Sequence, residues 1–106
     1  MKNNFDPEEL RRWFGDNYRC WWCGRNHYDA NHHILGRSGK HKSSLLNCAP
    51  MNNFECHVNV HPILNKLENK RFLLQTTLSY LLSKGYVMNE TDKMFLYSNA
   101  ELYRKE

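Results

Sequence analysis

The chain has 106 residues, enough for a single domain spanning 1–106 and too few for a second. Its 15 Lys and Arg against 11 Asp and Glu give a formal charge of +4, and 13% aromatic content excludes a wholly disordered chain. No apolar run approaches the roughly 20 residues that cross a bilayer, and the opening ten residues lack the apolar core of a secretory signal, so a cytoplasmic protein with no membrane partner is expected.

In chain order, Asp6-Pro7-Glu8-Glu9 reads as a helix start: a capping side chain, a proline in the first turn and two early acids. That helix is expected to pass through Leu10, Trp13 and Phe14 and to stop near Gly15. A short knuckle follows, Cys20-Trp21-Trp22-Cys23-Gly24. Residues 28–35 predict a strand, then a loop punctuated by Gly36 and Gly39, then a returning strand from Ser44 to Ala49. A helical turn or two from about Asn53 carries Cys56, His57 and His61. Pro62 pushes its predecessor away from helical geometry, which predicts a break and a new helix. In that helix Leu64, Leu67, Leu74, Leu78 and Leu81 make one apolar stripe, with Gly85 as its stop. A last helix is expected from Glu90 or Thr91 to about Tyr103.

Charge and histidine are both unevenly spread. Residues 10–45 hold seven cations against Asp16 and Asp29, a balance that suits a polyanionic partner, although a solvated basic face has the same composition. Five of the 6 histidines (His32, His33, His41, His57 and His61) lie between residues 32 and 61. On a helix, His57 and His61 share a face and can bind one ion. On a strand, His32 and His33 face opposite ways, so one can ligate while the other does a different job beside the metal.

A His-His pair, then an asparagine, then His-x3-His resembles the HNH nucleases, which include the DNase domains of colicins and many small phage endonucleases. The CxxC ahead of it and the Cys56-His57 pair resemble the zinc-stapled branch of that family. The resemblance covers roughly residues 18–62 and implies a ββα-metal core with a zinc knuckle; together with the N-terminal helix and the C-terminal helices over 63–106 read from the residue pattern, an α+β fold is expected. The resemblance implies a DNA endonuclease in which His32, His57 and His61 hold a catalytic divalent ion, His33 is the general base and Asn47 orients it. The implied products are a 5′ phosphate and a 3′ hydroxyl. Similarity to free-standing phage HNH proteins further implies packaging, replication or recombination proteins as partners.

The chemistry of phosphodiester hydrolysis agrees with these roles. It needs a deprotonated water in line with the leaving oxygen and compensation for charge building on phosphorus. A neutral imidazole at His33 takes a proton near physiological pH. Three imidazoles bind Zn, Ni, Co or Mn more tightly than Mg, yet the ion that supports turnover (Mg, Mn, Ni or Zn) need not be the tightest binder.

Cys20 and Cys23 form a CxxC whose short loop lets two thiolates grip a structural zinc, with Cys56 as third ligand. A metal-free core pair and a redox pair are the other readings of that CxxC. A second CxxC ending at Cys56 would need a cysteine where Asn53 stands, so the fourth ligand is Cys48 or His27, with Cys48 preferred. In the family the middle asparagine sits about nine residues before the helical histidine. Asn47 is ten before His57, Asn52 and Asn53 are rivals, and Asn47 is preferred because it ends the Leu45-Leu46 strand.

Arg37, Lys40 and Lys42, in the loop between the strands, are the candidate contacts to backbone phosphates. Trp21 and Trp22 either stack on bases or pack beneath the knuckle. A non-catalytic zinc-knuckle module that only binds nucleic acid is the main rival function, and a redox or metal-storage protein a third.

Overall fold

The computed structural model describes residues 5–15, 20–22, 30–36, 39–51 and 61–104. These form a mixed α+β chain whose radius of gyration, 12.8 Å, is that of a compact protein of this length. Among the described residues no helix is long and apolar enough to cross a membrane.

The first helix, α1 (Pro7–Phe14), starts as its sequence dictates: the Asp6 side chain accepts from the Glu8 amide, Pro7 opens the helix, and Glu8 and Glu9 face its positive end. Its last residue is its anchor. Phe14 is fully buried and stacks on Tyr80 with ring centroids 5.5 Å apart, while the Tyr80 hydroxyl donates to the Trp13 carbonyl at 2.7 Å.

Two short strands, β1 (Ala30–His33) and β2 (Cys48–Met51), pair antiparallel, with His32 opposite Ala49 and His33 opposite Cys48. The return is shorter than expected. Leu45–Asn47 is a 3-10 turn, and β2 begins only at Cys48. The reason is Ser44, whose hydroxyl accepts from the Leu46 amide and offers the backbone a local bond in place of the strand ladder. Asn47 therefore precedes β2 and does not end a strand.

After the sheet come α2 (His61–Leu64) and α3 (Leu67–Ser83). The stripe expected from Leu64 through Leu81 is interrupted between them. The Ile63 carbonyl accepts from the Lys66 amide and from Asn69 Nδ2, and Lys66 itself is extended, so the helical ladder restarts at Leu67. Leu67 consequently faces solvent at 59% exposure and leaves the stripe. Leu73, Leu74, Thr77 and Leu81 make the buried face of α3 and pack with Leu64, Leu46 and Met51.

Gly85, at φ +85°, ends α3 in a left-handed conformation that glycine adopts without strain. The amides of Gly85 and Tyr86 then cap the carbonyls of Leu82 and Leu81. The last helix, α4 (Glu90–Ser98), opens on a reciprocal box between Asn89 and Asp92. It stops at Asn99, and Ala100–Tyr103 continues as a 3-10 turn, so the single helix expected to reach Tyr103 is two elements.

Candidate active site

Strand alternation sends the two histidines of β1 to opposite faces of the sheet. His32, 3% exposed, shares its face with the buried Ala49 and Met51, and its Nε2 is shielded from solvent. His33 is half-buried and stacks on Phe5, with centroids 4.0 Å apart and planes within 11° of parallel.

Directly after His33 the chain turns, and Asn47 holds the turn. The Ile34 amide donates to the Asn47 carbonyl at 2.9 Å. The Leu35 amide donates to Asn47 Oδ1 at 2.8 Å, and Asn47 Nδ2 donates to the carbonyls of Gly36 at 3.2 Å and Lys42 at 3.0 Å. The Gly36 amide closes the turn onto the His33 carbonyl, with Gly36 at φ +81°. Asn47 is fully buried, and among the described residues its side-chain bonds go to loop backbone and none to the His33 ring. It therefore constrains His33 through the main chain and not by fixing an imidazole tautomer directly.

The other end of the loop is tied to the C-terminal helices. The Ser44 hydroxyl, which caps the turn carrying Asn47, donates to Asp92 Oδ1 at 2.6 Å. Asp92 is fully buried and also accepts from the Tyr86 hydroxyl and the Asn89 amide. Burial first, and then the hydrogen bond to Asp92 and the charges of Asp92 and Glu9, push the Tyr86 phenol above its ordinary range. Phe5 and Asp92 had no part in the sequence reading of the site. The signal for Asp92 was Asn89-x-x-Asp92, a capping-box spacing, but nothing in that spacing foretells a partner at Ser44.

No family model, curated protein or solved structure matches the chain. Roles for these residues thus rest on their chemistry.

Of the expected structural zinc ligands, Cys20 and Cys48 are described, and both are buried free thiols. The Trp22 amide donates to Cys20 Sγ at 3.3 Å, and the Trp21 amide to the Pro50 carbonyl at 2.9 Å, which docks Cys20–Trp22 on β2. Amide donors to sulfur recur in thiolate metal sites. Cys48 donates to Asn31 Oδ1 at 3.5 Å across the sheet, and burial pushes its thiol well above the usual range. Cys23, Cys56 and the alternative ligand His27 lie outside the described residues.

The same holds for His57, for Asn52 and Asn53, and for Arg37; His61 opens α2, but its side chain lies outside as well. Among the described residues no three His, Cys, Asp or Glu side chains gather to hold a metal. Lys40 is exposed and Lys42 half-buried in the loop, where His41 adopts a left-handed φ of 65°. Both tryptophans pack: Trp21 Nε1 donates to Thr77 Oγ1 at 2.9 Å, and Trp22 meets the edge of Phe72.

Proposed function

We propose that this chain is a metal-dependent DNA endonuclease of the HNH type, with a ββα-metal core and a zinc-stapled knuckle. The observation that carries the reading is the grip of Asn47 on the residues immediately following His33. A general base must reach its proton within about 2.6–3.2 Å, so the strand end that bears it has to be rigid. A buried asparagine that uses both ends of its amide on the adjoining loop supplies that rigidity.

In this mechanism His33 accepts the proton of the attacking water at a ring nitrogen. Lys40 and Lys42, with Arg37, neutralise DNA phosphates from the loop, and Asn47 ties the Lys42 carbonyl to the turn that follows the base. Imidazole nitrogens suit a divalent ion, and His32, whose Nε2 is shielded from solvent, would hold it together with His57 and His61. When bound, such an ion offsets charge on the phosphoryl and leaving oxygens. Cys20, Cys23 and Cys56, with Cys48, would hold the structural zinc, and the Trp22 amide bond to Cys20 Sγ supports that role for Cys20.

The test is nicking of supercoiled plasmid with Mn²⁺, Mg²⁺ or Ni²⁺. The wild type should cut, and His33→Ala should lose cutting by at least about a hundredfold while keeping its fold and bound metal. DNA binding without cleavage under every ion would overturn the nuclease in favour of a zinc-knuckle binding module.

A further inference from the structure

We infer that Phe5 is a positioning residue for His33, its ring setting the plane in which the imidazole presents its nitrogens to substrate; this rests on the nuclease reading above. The grip of Asn47 fixes the backbone beyond His33 but not the ring. Rotation about the last side-chain bond of histidine is broad and roughly two-fold, so a held backbone still leaves the imidazole plane open. A flat neighbour limits the planes the ring can take.

Phe5 is such a neighbour. Its centroid is 4.0 Å from that of His33 and the planes differ by 11°, which leaves no room for water or substrate on the covered face. Phe5 thereby bars approach to the base from that face. Phe5 is only 7% exposed, and it directly precedes Asp6, the cap of α1. That helix is fastened to α3 at its far end by the Phe14–Tyr80 stack and the bond from the Tyr80 hydroxyl to Trp13. The start of the N-terminal helix thus has a part in the site: it holds a ring against the base.

The test compares Phe5→Leu, which keeps apolar bulk but not a flat face, with Phe5→Tyr, which keeps the face. In the full chain with Mn²⁺ and plasmid DNA, Phe5→Leu should lower kcat about tenfold, with KM and bound metal within about twofold of wild type. Phe5→Tyr should stay within about twofold in kcat. By NMR, the ring-current shift on the His33 ring protons should persist in Phe5→Tyr and vanish in Phe5→Leu. A Phe5→Leu protein that has lost that shift yet cuts like wild type overturns the inference. So does a kcat loss in both variants that merely follows their denaturation midpoints. An inactive wild type overturns the nuclease reading itself, an outcome distinct from an active wild type indifferent to Phe5→Leu.

Discussion

Asn47 Oδ1 accepts the Leu35 amide at 2.8 Å while its Nδ2 donates to the carbonyls of Gly36 and Lys42, so each end of one amide faces a backbone group of fitting polarity. Aspartate has the same shape but no donor. Asn47→Asp should therefore turn a buried carboxylate toward two carbonyls, and Asn47→Ala should leave those groups and the Leu35 amide without the partner they have. Leaving buried polar groups unpaired costs about 1–3 kcal/mol each, and Gly36 is exposed enough to recruit water, so a loss of about 2–3 kcal/mol is expected for Asn47→Ala. Asn47→Asp should lose more near neutral pH and recover part of that loss in acid, because protonation restores one donor. Urea denaturation at two pH values checks both statements. An Asn47→Asp protein as stable as wild type near neutral pH would show that the clamp is dispensable.

Tyr86 donates to the buried carboxylate of Asp92, and its phenol is held above the ordinary range by burial, by that bond and by the charges of Asp92 and Glu9. The neutral phenol is thus favoured in the folded state. Its contribution is fully present below the unfolded value of about 10 and is lost as pH rises beyond it, at up to about 1.4 kcal/mol per pH unit. Tyr86→Phe should cost about 1–2 kcal/mol near neutral pH and should flatten the alkaline fall, so the two stability curves converge above about pH 10. Denaturation midpoints measured from near neutral to alkaline pH test this. Curves that stay parallel would mean that Tyr86 does not titrate with unfolding.

Much of the frame was legible because it is written in local rules. Asp6-Pro7 opens α1 and Gly85 closes α3, each by a bond or dihedral that depends on the residue itself and its near neighbours. The His32–His33 alternation follows from strand geometry once a strand is placed. What escaped depended on distant partners. Ser44 reads as strand until its hydroxyl is seen to bond both the Leu46 amide and Asp92, which lies 48 residues away. Leu67 fits an apolar spacing, yet the carbonyl of Ile63 is claimed by Lys66 and Asn69 and the helix restarts with Leu67 outside. Phe5 gave no sign of its role, since stacking on His33 is fixed by how α1 docks and not by any pattern around residue 5.

Thr77 joins three parts of the fold through one hydroxyl. From the buried face of α3 it donates to the Cys48 carbonyl at 2.8 Å and accepts from Trp21 Nε1 at 2.9 Å, linking the start of β2 to the Cys20–Trp22 segment. Thr77→Val keeps the shape and removes both bonds, stranding a buried carbonyl and an indole N–H, so a cost of about 2–3 kcal/mol is expected. Thr77→Ser retains the hydroxyl and loses only a methyl group, for about 1 kcal/mol. Trp21→Phe removes one of the two partners. In a double-mutant cycle with Thr77→Val it should show a coupling of about 0.5–1.5 kcal/mol, since the two side chains share a bond. A vanishing coupling would mean that Cys20–Trp22 is held on β2 by the Trp21 amide bond to Pro50 and by aromatic packing alone. In that case Thr77→Val and Trp21→Phe would weaken the fold independently, and Thr77 would serve only to fasten α3 to the strand that follows Asn47.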